Sequence, residues 1–204
     1  MLKRFVRKIF VGLFLFLFWP FFLYRKYGKK DINFVDGSTI IANHYSDFDP
    51  FFIYLLAKKR DRLFFITNAG VKKKWITRIF CSLFDCLYVE EDEGFKNVRP
   101  VFDAIKKLKE GKVMVIFPEG VIRPTREGFF EFNKGFVFIA RKANSIIYPL
   151  YIYPDLLPFK RTKIYINEPV PFETIKEKDD LTATFYLQSI IMDSSFKVGQ
   201  KQEN

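Results

Sequence analysis

Apolar and polar positions follow two patterns along the chain, one typical of strands and one typical of helices. Short apolar runs at residues 38–42 (STIIA), 62–67 (RLFFIT), 86–90, 113–117 (VMVIF), 146–153 and 163–166 predict buried strands. Helical spacing covers residues 71–84, 97–110 and 181–196, and Asp49-Pro50 opens another helix that extends to about residue 58. This alternation predicts an α/β fold: a single domain with a mixed, mostly parallel central sheet flanked by helices.

The N-terminal thirty residues differ from this pattern. An uninterrupted apolar run of 16 residues extends from Ile9 to Tyr24, and Lys and Arg flank it on both sides. As a straight helix it covers roughly 24 Å, less than the core of a bilayer, which is about 30 Å thick. Pro20 is expected to kink or end the helix.

The flanking charges bear on how this segment meets a membrane. Because both flanks are basic, neither spanning orientation is favoured, whereas a segment that enters one leaflet and returns places every charge near anionic headgroups. No small-residue cleavage site for a signal peptide follows the run, and apolar residues on every face disfavour a soluble core helix. We expect residues 1–30 to be a membrane anchor, spanning or monotopic, with the rest of the protein on the cytoplasmic face.

The rest of the chain reads as one unit. Residues 31–196 form the predicted domain, and residues 197–204 form a polar tail. Within the domain, the predicted helix at 71–84 has an apolar face and a basic side, with Lys72, Lys73, Lys74 and Arg78 off the apolar face. Such a helix either packs on the core with one side in water or rests on lipid headgroups.

Charge and aromatic content narrow the class of partner. Lys and Arg outnumber Asp and Glu by 34 to 23, a net charge of +11, which suits nucleic acid or an anionic membrane surface. Most of the aromatic residues lie in apolar runs rather than between basic residues, so a nucleic-acid partner is disfavoured. Cys81 and Cys86 are too few for a disulfide scaffold or a typical cysteine metal site.

His44 is the only histidine and the residue best suited to take a proton near neutral pH. It follows a predicted strand, and Asp49, five residues later, can orient its ring through Nδ1. The spacing alone equally fits a histidine in a turn and an aspartate that caps a helix. A metal site is disfavoured because no second histidine exists, and Ser46 lacks the glycine elbow of a serine nucleophile.

Two sequence blocks resemble a known family. Residues 43–50 (NHYSDFDP) resemble the N-H-x-S-x-x-D-P motif of glycerolipid acyltransferases, the family that includes 1-acylglycerol-3-phosphate acyltransferase, and residues 117–120 (FPEG) resemble its third block. The lead-in at 108–117, the Lys134-Gly135 pair and the proline-centred residues 147–150 are also similar. The resemblance covers about residues 31–170 and favours a catalytic role for His44 and Asp49.

The resemblance implies transfer of an acyl group from a thioester, acyl-CoA or acyl-ACP (acyl carrier protein), to the hydroxyl of a lysolipid acceptor, with 1-acylglycerol-3-phosphate the foremost candidate. His44 would be the general base and Asp49 its partner, with no metal and no bound cofactor. The implied substrate-binding residues are Glu119, which organises the acceptor site, Gly120, which permits close backbone approach, Arg123 or Arg126, which binds phosphate, and Lys134.

Departures from the family pattern concern the acceptor. Val121-Ile122 displaces the arginine after FPEG by one position, residues 89–92 (VEED) are acidic where the family has an arginine, and Asn68 replaces a common lysine. A different acceptor, such as another lysophospholipid or an amino-acid-derived lysolipid, is therefore the alternative substrate. A catalytically silent membrane-binding module is the alternative from another functional class.

Overall fold

The computed structural model describes residues 2–29, 33–70, 78, 80–81, 84–89, 98–123, 128–155 and 157–199. The strands are β1 (Tyr24–Gly28), β2 (Thr39–Ala42), β3 (Leu63–Asn68), β4 (Asp85–Val89), β5 (Val113–Ile116), β6 (Ile147–Tyr153) and β7 (Thr162–Ile166). The helices are α1 (Leu2–Phe18), α2 (Asp49–Leu56), α3 (Arg99–Lys109), α4 (Gly135–Lys142), α5 (Phe172–Lys176) and α6 (Asp180–Gly199), with 3-10 turns at Trp19–Phe21 and Arg60–Arg62.

The described strands form one seven-stranded sheet in the order β1-β7-β6-β2-β5-β3-β4. β6, β2, β5, β3 and β4 run parallel, whereas β7 is antiparallel to β6 and parallel to β1. The predicted single α/β domain with a mixed, mostly parallel sheet is thereby confirmed. The predicted strands correspond to β2 through β7 with small shifts at their ends, and residue 90 lies outside the described residues.

The central strands are apolar along their whole length because both faces of the sheet are covered. In β2, Ile40 and Ala42 face one core and Ile41 faces the other, and all three are fully buried. The first core includes residues of α1 and α2, and the second includes residues of α3, α4 and α6. Continuous apolar runs are the expected sequence of parallel strands buried on both faces.

The N-terminal helix α1 packs one side against the first core. Val11 is buried, and the Phe14 ring lies 5.3 Å from that of Phe22 and 5.1 Å from that of Phe51. The opposite side exposes Ile9, Leu13, Phe16 and Leu17. The helix ends at Phe18 before the turn that contains Pro20, as the sequence predicted. Within the described ranges, no helix is both long and apolar enough to cross a bilayer.

The structure assigns some segments differently from the sequence analysis. β1 was placed in the predicted anchor of residues 1–30, but it pairs with β7 from Tyr24 to Gly28 and so belongs to the sheet. α6 continues to Gly199, into the predicted polar tail. α4 and α5 were not predicted. Most of the predicted helix at 71–84 lies outside the described residues, while Phe80 and Phe84 pack their rings on Phe51.

Gly28 ends β1 in a conformation that only glycine adopts easily. Its φ is +73°, and a Cβ atom there would lie 2.2 Å from the carbonyl oxygen of Ile166. We expect Gly28→Ala to lower the free energy of unfolding by at least about 2 kcal/mol, because backbone strain and a backbone clash add. Denaturant unfolding measures this.

Gly135→Ala is the matched control for this experiment. A Cβ at Gly135 meets nothing within 4 Å, and the residue begins a helix. Equal stability of the two variants would contradict the expected clash at Gly28.

Candidate active site

Asn43 connects the end of β2 to β6 and thereby positions the residue that follows it. Its side-chain Oδ1 accepts a hydrogen bond from the Ile152 N–H at 2.7 Å, and its Nδ2 donates to the Ile152 carbonyl oxygen at 2.8 Å. Asn43 is fully buried. The side chain thus extends the β2–β6 pairing by one residue and holds the backbone immediately before His44. No role for Asn43 was predicted, although a polar residue directly after a buried strand is the available signal.

His44 and Asp49 form a hydrogen-bonded pair across the turn between β2 and α2. His44 Nδ1 lies 3.0 Å from Asp49 Oδ2, and the same oxygen accepts from the N–H groups of Tyr45 at 2.7 Å and Ser46 at 2.9 Å. Asp49 is fully buried, and His44 keeps 16% of its side chain exposed. Because a carboxylate only accepts hydrogen bonds, this contact requires a proton on Nδ1, and in the neutral imidazole Nε2 then keeps its lone pair.

The structure corrects the predicted cap of α2. Phe48 occupies the cap position and makes no side-chain cap hydrogen bond, while Asp49 is the first helical residue. The Asp49 carboxylate turns back toward residues 44–46 because three donors converge there. Its position in the first turn still suits the positive end of the helix dipole.

Phe117 covers one face of the His44 ring. The two ring centroids are 4.2 Å apart and the planes are inclined by 19°. Phe117 follows β5, the neighbour of β2 in the sheet, so the parallel strands bring the FPEG block against the NHYSDFDP block. The stacked ring restricts rotation of the imidazole and excludes water from that face. The sequence analysis gave Phe117 no role of its own.

Glu119 joins three segments through one buried carboxylate. Its Oε1 accepts from the His44 N–H at 3.1 Å, and its Oε2 accepts from the Phe130 N–H at 3.1 Å. Arg123 Nε lies 2.7 Å from Oε2, and both charged side chains are buried. Burial raises the pKa of Glu119 above its ordinary value, while Arg123 and the two N–H groups act in the opposite direction. In the described structure, Glu119 thus binds protein groups next to His44 and holds them in position.

Arg123 contacts two aromatic rings and the backbone of His44. Its guanidinium carbon is 3.9 Å from the Tyr45 ring centroid and 4.7 Å from that of Phe129, and its backbone N–H donates to the His44 carbonyl oxygen at 3.0 Å. Within the described part of the chain, Nη1 and Nη2 have no hydrogen-bond partner. Two buried N–H-bearing atoms on one planar group are suited to an anionic oxygen pair.

The other predicted binding residues are distributed around this cluster. Gly120 adopts a left-handed φ of +74°, and its N–H donates to the Phe117 carbonyl oxygen at 3.0 Å. Lys134 is exposed at the start of α4, next to Asn133, whose N–H donates to the Pro118 carbonyl oxygen. Arg126 lies outside the described residues. The structure therefore brings His44, Asp49, Glu119, Gly120 and Arg123 together and places Lys134 at the surface.

The Glu119–Arg123 ion pair predicts a strong dependence of stability on both charges. Glu119→Gln leaves a buried guanidinium without its counter-charge, so we expect the free energy of unfolding to fall by about 3 kcal/mol. Arg123→Met should also destabilise. The free energy of unfolding of the double variant should fall by less than the sum of the two single losses, because the double variant contains no unpaired buried charge.

Urea unfolding of the parent and the three variants measures this coupling. Additive losses in the double variant would show that the two side chains do not stabilise each other.

Comparisons with known proteins agree with the site. A family model described as Acyltransferase matches residues 25–153, a range that includes both the NHYSDFDP and FPEG blocks. The fold is similar to the crystal structure of the 1-acyl-sn-glycerophosphate acyltransferase PlsC from Thermotoga maritima, with a TM-score of 0.64, 24% identity, and coverage of 89% of this chain and 74% of that one. The resemblance drawn from the two blocks is confirmed: the chain belongs to the Acyltransferase family and is an acyltransferase.

Proposed function

We propose that the protein transfers a fatty acyl group from an acyl thioester to the hydroxyl of a lysolipid, with 1-acylglycerol-3-phosphate as the preferred acceptor. The observation that carries this proposal is the His44–Asp49 pair, 3.0 Å apart, beside a buried arginine with two unpaired nitrogens in the described structure. The thioester is acyl-CoA or acyl-ACP. The similar fold of the Thermotoga maritima 1-acyl-sn-glycerophosphate acyltransferase supports the choice of acceptor.

The geometry of His44 suits general-base catalysis. Nε2 takes the proton of the acceptor hydroxyl as its oxygen attacks the thioester carbonyl carbon. Asp49 stabilises the imidazolium that forms, because its carboxylate accepts the Nδ1 proton. The tetrahedral intermediate then breaks its carbon–sulfur bond, and the leaving thiolate takes the proton from Nε2. The acceptor, the donor and His44 account for every proton and electron pair, so the reaction needs no metal or bound cofactor.

Arg123 is the proposed ligand of the acceptor phosphate. Its guanidinium contacts the rings of Tyr45 and Phe129, and Glu119 forms an ion pair with its Nε end. Nη1 and Nη2 can then grip two phosphate oxygens. Arg126 and Lys134 are secondary candidates to contact the same headgroup.

The exposed side of α1 supports association with an anionic membrane. Ile9, Leu13, Phe16 and Leu17 face solvent along the helix, and exposed Arg25 and Lys26 follow the 3-10 turn. Apolar residues flanked by cations suit a helix that lies in the interface of a bilayer. We therefore propose a monotopic anchor, with the catalytic domain on the cytoplasmic face.

The catalytic pair is tested by His44→Ala and Asp49→Asn. Loss of the base should lower kcat by roughly 10²- to 10⁴-fold, and Asp49→Asn should lower kcat while retaining the fold, because its amide cannot stabilise the imidazolium. Purified variants are assayed with acyl-CoA and acyl-ACP against a panel of lysolipids.

Asp193→Asn is the control for the catalytic pair. Asp193 is an exposed carboxylate on α6, and its variant should transfer acyl groups at the parent rate. Acyl transfer by His44→Ala at the parent rate would contradict the proposed mechanism.

The phosphate ligand is tested by Arg123→Lys, which keeps the charge beside Glu119 but removes the planar pair of donors. We expect KM for 1-acylglycerol-3-phosphate to rise by about tenfold or more, because the variant loses one charge-assisted hydrogen bond to the phosphate. Transfer to monoacylglycerol, which lacks the phosphate, should change little.

Arg99→Lys at an exposed position is the control for this substitution. Equal KM changes for acceptors with and without phosphate would rule out Arg123 as the ligand.

A further inference from the structure

The loop between β6 and β7 lies at the same edge of the sheet as His44. β2 and β6 are parallel with Ala42 opposite Leu150, so the residues that follow each strand leave the sheet at one edge. His44 follows β2, and residues 157–161 follow β6 and precede β7 at Thr162. We call residues 157–161 the β6–β7 loop.

The β6–β7 loop holds two large apolar side chains in solvent. Leu157 is 62% exposed and Phe159 is 68% exposed. Phe159 also has a left-handed φ of +63°, a conformation that costs a bulky residue of order 1–3 kcal/mol. Glycine or asparagine would adopt this conformation with less strain. An exposed phenylalanine in a strained position therefore indicates a surface where the ring contacts a binding partner.

The loop is fastened to the turn that follows α1. The Phe159 N–H donates to the Pro20 carbonyl oxygen at 2.9 Å, and the Phe159 ring lies edge-on to Trp19 at 5.8 Å. Trp19 and Phe18 are themselves exposed. The apolar surface of the loop is thus continuous with the surface that the N-terminal helix presents.

Positive charge surrounds these side chains. Lys160 and Arg161 follow Phe159 directly and are exposed, and exposed Arg25 stands opposite Lys163 in the β1–β7 pairing. The half-buried carboxylate of Asp155 lies at the start of the connection, where it accepts from the Leu157 N–H at 3.5 Å. Aromatic residues next to Lys and Arg are suited to binding an anionic bilayer surface, because the rings enter the interface and the cations contact the headgroups.

We propose that the β6–β7 loop, with Trp19, is a second membrane contact that inserts Leu157 and Phe159 among the lipids. This inference rests on the proposed membrane association of α1 and extends it. The exposed side of α1 provides one line of contact, which by itself does not fix the tilt of the domain along that line. A second contact at the sheet edge of His44 fixes the orientation, so that the site faces the lipid that carries the acceptor.

The test compares vesicle binding by the parent and by Leu157→Ser/Phe159→Asn. Asparagine tolerates the left-handed conformation, so the variant removes the apolar side chains without adding strain. We expect its partition coefficient for phosphatidylcholine–phosphatidylglycerol vesicles to fall by about tenfold or more. Phe159→Trp should bind as the parent does, because tryptophan suits the same interface.

Phe102→Asn is the matched control, since Phe102 on α3 is also 62% exposed and should leave vesicle binding unchanged. Lys160→Gln/Arg161→Gln should weaken binding by about fivefold per charge on vesicles that contain phosphatidylglycerol. On vesicles of pure phosphatidylcholine it should have little effect.

Two outcomes would overturn the proposal. One is parental vesicle binding by Leu157→Ser/Phe159→Asn, and the other is a loss of binding that Phe159→Trp shares. Acyl transfer to a short-chain, water-soluble lysolipid is measured in parallel and should be unchanged in the loop variants. A parent that transfers no acyl group to any acceptor would refute the proposed function while leaving the vesicle result to decide on the loop.

Discussion

The buried carboxylate of Glu119 is the contact on which the geometry of the site depends. It joins the backbone of His44 after β2, the backbone of Phe130 before α4, and the guanidinium of Arg123. Arg123 and Phe130 follow Glu119 within 11 residues, whereas His44 is 75 residues away, so the carboxylate connects the segment after β5 to the segment after β2. The carboxylate accepts from both N–H groups and forms an ion pair with the guanidinium, whereas an amide or a hydroxyl would offer Arg123 no counter-charge. Burial makes the charge costly by itself, so the two N–H donors and the guanidinium must all be present for the arrangement to be stable.

Two buried carboxylates divide the work of the site between them. Asp49 acts on the His44 ring and fixes which nitrogen carries the proton. Glu119 acts on the backbone of the same residue and on Arg123, so it fixes where the ring and the guanidinium stand relative to each other. Under the proposed function, the first controls the base and the second controls the distance between the base and the bound phosphate. A change at either residue would therefore affect a different step.

The central strands could be predicted from the sequence because local pattern determines them, whereas the short spacing of His44 and Asp49 permitted their pairing and the resemblance of residues 43–50 favoured it. β2 and β5 are short apolar runs, and Asp49 reaches His44 within a single turn of chain. The role of Asn43 depends on Ile152, 109 residues away, and no local pattern contains that information. The hydrogen bond from the His44 N–H to Glu119 is non-local in the same way, because it joins residues that are 75 positions apart.

Two of the unpredicted elements, β1 and α4, have sequences that fit more than one structure. β1 reads YRKYG, and its charges resemble the basic flank of an anchor more than an edge strand. Two charged residues separate its two tyrosines, so the sequence shows no alternation of apolar and polar positions. α4 begins GFVFIA, a run of consecutive apolar residues that fits a strand or a buried helix equally well. Packing against α3 and α6 decides between them, and that packing exists only in the folded chain.

Under the proposed function, the direction of the strands explains how a helix shorter than a bilayer core could serve an enzyme that acts on lipids. α1 has 17 residues and a length of about 25 Å, less than a bilayer core. It ends where β1 begins, and because β1 runs opposite to β6, Tyr24 lies at the sheet edge that also bears His44. A lysolipid keeps its headgroup at the interface and its acyl chain in the bilayer. If the edge that bears His44 faces that interface, the acceptor hydroxyl can reach Nε2 and its phosphate can reach Arg123 while the acyl chain stays among the lipids. Under the proposed function, this geometry requires a fixed orientation on one leaflet and does not require a helix that crosses the membrane.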